Sequence, residues 1–325
     1  PHPKSVLPIA MVVAEMQAAL RAAGLPETVV QMGVDTLDNP ITKHLAEDVS
    51  VKLIDYTGGS AFGDYIESLS GKTVFTEKAG VNSVILQGAK DPVAVFGNLA
   101  FAASLYSGQM CTAPQNVFVS ADGISTAEGS LSYDDVVAGI AQAIKGLAEN
   151  PKMGAGTLGA IQNDATTQRV KSVEALAGAA VVLPSMAIEN AEFPDARTAS
   201  PAVIAVDAAD IAQWKHECFG PIVFVVKTTS AEHSLALAKE CATNLGAITC
   251  SCYSTDEDFM NRVEDEMNAA FTPVSFNFGG AAFVNQHAAF SDFHVTGGNP
   301  SGNASFTDAQ YVNRRFVWVG NRRMA

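Results

Sequence analysis

Short runs of β-branched and aromatic residues alternate with longer Ala-rich or amphipathic stretches along almost the whole chain. That alternation confines the fold to the α/β class, because each strand is followed by a segment of helical period that can pack back onto a sheet. The strand candidates are 29–33, 49–56, 72–77, 82–87, 116–120, 179–183, 201–206, 222–227, 247–254, 274–278 and 314–319. Between them, 6–22, 39–46, 61–69, 91–106, 133–150, 166–176, 230–242 and 256–270 read as helices. Asn39 is read as the cap of the second helix, with Pro40 in its first turn. Residues 279–305 are rich in Gly, Asn and Ala and read as a long structured loop. A chain of 325 residues exceeds one small domain, so two domains are expected.

The charge balance narrows the partners. A formal net charge of −14 opposes binding to a nucleic-acid backbone. Five cysteines are scattered without framework spacing, which suits a reducing compartment, and a cytoplasmic location is expected. Every long apolar run is broken by Gly, Pro or charge, so no membrane span and no signal peptide is read. No residue set has zinc spacing, and no serine-triad signature occurs. Cys250-Ser251-Cys252 is read as core rather than a metal pair, its two thiols expected on opposite faces of a strand.

Four local patterns carry chemistry. Ser107-Gly108-Gln109-Met110-Cys111-Thr112-Ala113-Pro114 sets a cysteine on a turn between a helix and a strand. Such a turn supplies free N–H groups for a thiolate or an oxyanion; a cysteine in an apolar chain is otherwise a small buried hydrophobe. Glu77-Lys78-Ala79-Gly80-Val81-Asn82 places a carboxylate at a strand end, where it can act as a general base or lie on the surface. Tyr56-Thr57-Gly58-Gly59-Ser60-Ala61-Phe62-Gly63 is a strand-to-helix turn that can approach a phosphate, or be an ordinary tight turn. Glu217-Cys218-Phe219-Gly220-Pro221 is an acidic loop before a strand, preceded by Trp214-Lys215-His216, which can anchor it.

Taken in order, these patterns resemble one family. Glu77-x-x-Gly80-x-Asn82 comes first, Gly108-Gln109-x-Cys111 places its cysteine 34 residues after that Glu, and Glu217-x-Phe219-Gly220-Pro221 begins 106 residues after the Cys. The arrangement is similar to the NAD(P)-dependent aldehyde dehydrogenase superfamily. The stretch from Phe283 to His294, with His287 and His294, resembles the branch of phenylacetic acid degradation, the PaaN type.

The resemblance implies a partial Rossmann-like cofactor domain at 1–76, an α/β catalytic domain at 77–305, and an oligomerisation strand within 306–325. It implies Cys111 as nucleophile and thiohemiacetal carrier, with Glu77 activating the water that hydrolyses the thioester. Gly58, Gly59, Gly63, Glu217 and Phe219 would hold NAD or NADP, and no metal is implied. The substrate would be an aldehyde, a CoA-linked ring-opened semialdehyde being one candidate, and the protein a homodimer or larger homo-oligomer. The sequence also departs from the family. Lys78 puts a charge next to the base, and Gly59 removes a hydroxyl from the phosphate turn. Pro3 stands where many NAD-using members have a ribose-binding Glu, which leaves NADP open. The family's adenosine-site Lys and oxyanion Asn would precede Pro1. Two alternatives therefore stand beside a hydrolytic dehydrogenase: a CoA-acylating enzyme, which Glu77 disfavours, and an inactive fragment or binding module.

Overall fold

The computed structural model describes residues 2, 4–36, 38–176, 179–279 and 320–324. It divides into two compact units, 1–54 with 65–74, and 55–64 with 75–325. The expected cofactor half, 1–76, overlaps the smaller unit, but residues 55–64 and their glycine turn group with the larger one.

The smaller unit opens with α1 (Val6–Ala22), which buries none of its residues. A short 3-10 turn, Glu27–Val29, follows where a strand at 29–33 was expected. Only a few apolar residues stand between Pro26 and Gly33, and no neighbouring strand pairs with them. In α2 (Thr42–Glu47) Asn39 is not the cap. Asp35 takes that work instead, accepting from the Ile41 N–H at 2.8 Å and from the Thr42 hydroxyl. β1 (Leu53–Thr57) leads into α3 (Ser60–Glu67), and β2 (Thr73–Glu77) pairs with β1.

The larger unit continues with β3 (Ser83–Leu86), β4 (Gly88–Ala89), α4 (Pro92–Ser104) and β5 (Asn116–Ser120). The hairpin β6 (Ile124–Thr126) and β7 (Gly129–Leu131), then α5 (Tyr133–Ala148), α6 (Gly154–Thr157) and α7 (Asp164–Glu174), follow. Next come β8 (Ala180–Leu183), β9 (Ala202–Asp207), α8 (Ile211–Trp214), β10 (Ile222–Thr228) and α9 (Ala231–Leu245). β11 (Cys250–Tyr253), α10 (Glu257–Ala269), β12 (Val274–Phe276) and β13 (Arg322–Arg323) complete it. Helix starts follow capping chemistry. Asp91, Asn163, Ser230 and Asp256 accept from the N–H three residues on, and Ser132 with Asp135 forms a capping box.

Eight strands form the main sheet in the order β13-β12-β11-β3-β5-β10-β9-β8, parallel except for β8 on β9. Its central strands are apolar on both sides, as a sheet covered by helices on two faces requires. Ile85, Phe118, Ile204 and Phe224 point into one core with residues of α7, α9 and α10, such as Val173, Leu235 and Val263. Val84, Val117, Val203 and Val223 point into the other with Leu99 of α4 and Ile140 of α5. Cys250 and Cys252 are both fully buried in the first core. The expectation of opposite faces was wrong, because residues two apart on a strand share a face. The expected strand 314–319, most of the loop 279–305, the branch segment 283–294 and both of its histidines lie outside the described residues.

Candidate active site

Cys111 stands between α4 and β5, after a backbone that few residues tolerate. Tyr106, Ser107 and Gly108 have φ of 51°, 55° and 64°, three left-handed residues in succession. Side-chain bonds hold that conformation. The buried Ser107 hydroxyl donates to the Gly159 carbonyl at 2.8 Å. The Gln109 amide donates to the carbonyls of Tyr106 at 3.0 Å and Ala160 at 2.9 Å, and its oxygen accepts from the Gln162 N–H at 2.9 Å. At Gly108 a Cβ would stand 2.5 Å from the Gly220 carbonyl oxygen, so glycine is also what lets the cysteine turn close on the Glu217 loop.

Glu77 ends β2 and shares a hydrogen bond with the Cys111 thiol, while its Oε1 is buried without a protein partner. Burial, and then the charge of Asp55, raise its carboxyl above the ordinary range; the bond from Cys111 works the other way. The thiol is pushed up as well, by the protein packed round it, by the charge of Glu77 and its hydrogen bond, and more weakly by Glu217. Cys111 keeps an exposed face, and the carboxylates beside it push in the same direction as the burial. The Cys111 thiol is thus hydrogen-bonded to the Glu77 carboxyl, the group placed to accept its proton.

Cys111 lines a narrow pocket with Gly80, Gly108, Glu217, Phe219 and Gly220. Glu217 accepts from the Gly80 N–H at 3.3 Å; burial raises its carboxyl, opposed by that bond and by the charge of Arg169. Arg169 donates to the Phe219 carbonyl at 2.5 Å. Gly80 and Glu217 also line a second cleft of about 430 Å³, with Ser60 at the start of α3, Asp64, Lys78 and His216. The two spaces therefore meet at Gly80 and Glu217. Gly58, Gly59 and Gly63 lie beside this cleft rather than on its lining. Gly58 donates its N–H to the Glu77 carbonyl at 3.0 Å, tying the turn to the end of β2; Gly59 accepts from the Tyr56 hydroxyl at 2.9 Å and has open space at its Cβ position; and Gly63 faces the Lys78 stem. No group of metal-ligating residues occurs among the described residues.

Two residues that hold the site together were given no role in the sequence reading. Asn82 donates to the carbonyls of Cys111 at 2.8 Å and Ala113 at 3.1 Å, and accepts from the N–H groups of Ile248 at 3.1 Å and Thr249 at 3.2 Å. Gln115 donates to the carbonyls of Trp214 at 3.3 Å and His216 at 2.9 Å, and accepts from the Cys218 N–H at 2.6 Å, so it brackets Glu217. A polar side chain beginning an otherwise apolar buried strand was the one available signal. Trp214 is fully buried, edge-on to Phe118 at 5.5 Å, and anchors the loop as expected.

Comparison with known proteins agrees with this geometry. The aldehyde dehydrogenase family model matches residues 2–307. An NAD-dependent aldehyde dehydrogenase from Burkholderia multivorans superposes with a TM-score of 0.90 at 42% identity, over 97% of this chain and 57% of that one. The α-ketoglutarate semialdehyde dehydrogenase of Haloferax volcanii is 26% identical over 84% of this chain and 55% of its own length. An NADP-dependent glyceraldehyde-3-phosphate dehydrogenase from Bacillus halodurans shares the fold with a TM-score of 0.64 at 22% identity, over 82% of this chain and 52% of that one. The chain thus spans about half the length of the relatives it matches. With a family model covering nearly all of it, and with thiol, carboxyl and acidic loop assembled at one place, the chain belongs to the aldehyde dehydrogenase family.

Proposed function

We propose that this chain carries the catalytic centre of an NAD(P)-dependent aldehyde dehydrogenase that oxidises an aldehyde to a carboxylic acid. The observation that carries the reading is the Cys111–Glu77 hydrogen bond beside a pocket walled by Glu217 and Phe219. A nicotinamide dinucleotide fits this chain's residues. The cleft of about 430 Å³ is within the ~300–1,000 Å³ of small-molecule sites, and Glu217 presents a carboxylate, an acceptor for ribose hydroxyls, where the cleft meets the cysteine pocket.

In this reading Glu77 takes the thiol proton, and the Cys111 sulfur attacks the aldehyde carbon to give a thiohemiacetal. The Cys111 N–H donates to the new oxyanion. Bound NAD or NADP supplies the hydride acceptor. Collapse to the thioester leaves a carbonyl that water attacks, and Glu77, having released the first proton to solvent, removes the proton from that water and returns it to the departing thiolate. The thiol leaves, and the acid departs. Glu77 supports hydrolysis over transfer to CoA, since a base for water is present.

The likeness of 283–294 to the phenylacetate branch supports an aldehyde of aromatic ring degradation, a CoA-linked semialdehyde included. A cytoplasmic homodimer or larger homo-oligomer completes the proposal. Among the described residues no helix is long and apolar enough to cross a membrane. The test follows nicotinamide reduction by the full chain with a panel of aldehydes, and identifies the product as free acid or acyl-CoA. Wild type should reduce NAD or NADP and release free acid, and Cys111→Ala should do neither. Turnover that survives Cys111→Ala refutes the reading.

A further inference from the structure

His216 and Cys218 flank Glu217, and their side chains meet: Cys218 Sγ lies 3.3 Å from His216 Nε2. Cys218 is 2% exposed and belongs to the core beneath the loop. His216 is exposed and lines the cleft of about 430 Å³ together with Glu217. An exposed imidazole is ordinarily free to turn, but this one is held from several sides. Gln115 donates to its carbonyl at 2.9 Å, the residue before it, Lys215, pairs with Glu240, and the buried sulfur takes its ring.

The thiol also decides where the ring carries its hydrogen. Burial pushes the Cys218 thiol up to about 11, so it stays an S–H at neutral pH and can donate to Nε2. A neutral imidazole has one N–H, and the bond made by one nitrogen fixes the role of the other. With Nε2 accepting, the hydrogen sits on Nδ1, and no hydrogen bond to Nδ1 is made among the described residues. A donor fixed in place at a cleft wall is built for an acceptor on a ligand. The charged groups of the cleft do not supply it: Asp64 and Glu217 are acceptors, and Lys78 is already engaged, with Asp64 at 2.8 Å for one. A ribose held by Glu217 sets its phosphate within reach of the adjoining residue, since neighbouring Cα atoms are ~3.8 Å apart.

We propose that His216 donates from Nδ1 to the phosphate of the nicotinamide-nucleotide half of the cofactor, with Cys218 as the residue that holds its ring. This rests on the dehydrogenase reading above. Gln115 positions the backbone of the loop, Glu217 takes the ribose, and His216 takes the phosphate beside it.

The test compares nicotinamide mononucleotide with nicotinamide riboside, which differ by that phosphate, in calorimetric titrations of the full chain. Wild type should bind the mononucleotide more tightly. In His216→Phe, which keeps a ring and loses its nitrogens, the preference should shrink by about tenfold, as for loss of one hydrogen bond to a charged group. Riboside affinity should not change. His216→Gln, which keeps an N–H donor, should retain more of the preference, and Cys218→Val should lower it with the imidazole still present. An undiminished preference in His216→Phe, or a wild type that does not distinguish the two compounds, overturns the proposal while leaving the dehydrogenase reading intact. Equal weakening of both compounds in His216→Phe and His216→Gln marks a fallen loop rather than a lost contact, and overturns it too. Failure of wild type to bind either compound overturns both readings.

Discussion

Asn82→Ala probes the joint on which the site depends. The side chain is 5% exposed and satisfies four backbone groups, the carbonyls of Cys111 and Ala113 and the N–H groups of Ile248 and Thr249. An unsatisfied buried group costs ~1–3 kcal/mol. The two carbonyls flank the cysteine pocket and can regain water, so most of the loss falls on the two N–H groups, for a total of ~2–5 kcal/mol. That lies in the tail reserved for broken buried networks. Urea unfolding of the full chain measures it, and iodoacetamide alkylation of Cys111 reports whether the turn has loosened. Asn82→Asp sharpens the test. It keeps the two acceptor contacts but sets a carboxylate against two carbonyl oxygens, so it should be more damaging at pH 7 than in acid. A loss below ~1 kcal/mol for Asn82→Ala, with unaltered alkylation, would refute the accounting.

Three further outcomes are expected. Glu77→Gln removes the charge and the accepting carboxylate that raise the Cys111 thiol, so alkylation at pH 8 should become faster while aldehyde turnover falls by at least ~100-fold. The stability signs follow from the same shifts. Both groups are raised, so the Glu77 contribution is full below its unfolded value of 4.5 and is lost as pH rises through the folded one; for Cys111 the loss begins above 9.0 and runs towards about 12. Glu77→Gln should therefore gain stability relative to wild type between pH 4 and pH 7, as read from paired melting curves. Gly108→Ala combines a left-handed φ with a Cβ 2.5 Å from the Gly220 oxygen, and should cost ~2–4 kcal/mol with loss of Cys111 reactivity. Gln115→Ala frees the loop around Glu217; cofactor KM should rise by about tenfold with the alkylation rate of Cys111 nearly unchanged, a split that general unfolding would not produce.

Much of this was legible along the chain because it is encoded locally. Strand and helix periods, the helix starts at Asp91 and Ser230, and the cysteine on its turn each depend on a few adjacent residues. The segment at 29–33 misled because apolar residues without a pairing strand carry no sheet. Asn39 misled because Asp35, further from the helix in sequence, reaches its first N–H groups.

The order of the strands was beyond reach of any local pattern. β3, β5 and β10 lie side by side only after long crossovers, and their parallel register carries the segments before them, with Asn82, Cys111 and Glu217, to one end of the sheet. Which way Lys78 turned was settled by the space at Gly63 and the carboxylate of Asp64, on a helix earlier in the chain. Sequence alone determined the class of fold and named the candidate groups. Tertiary structure decided their company, because hydrogen bonds and charges act over a few ångströms of space, whatever the separation along the chain.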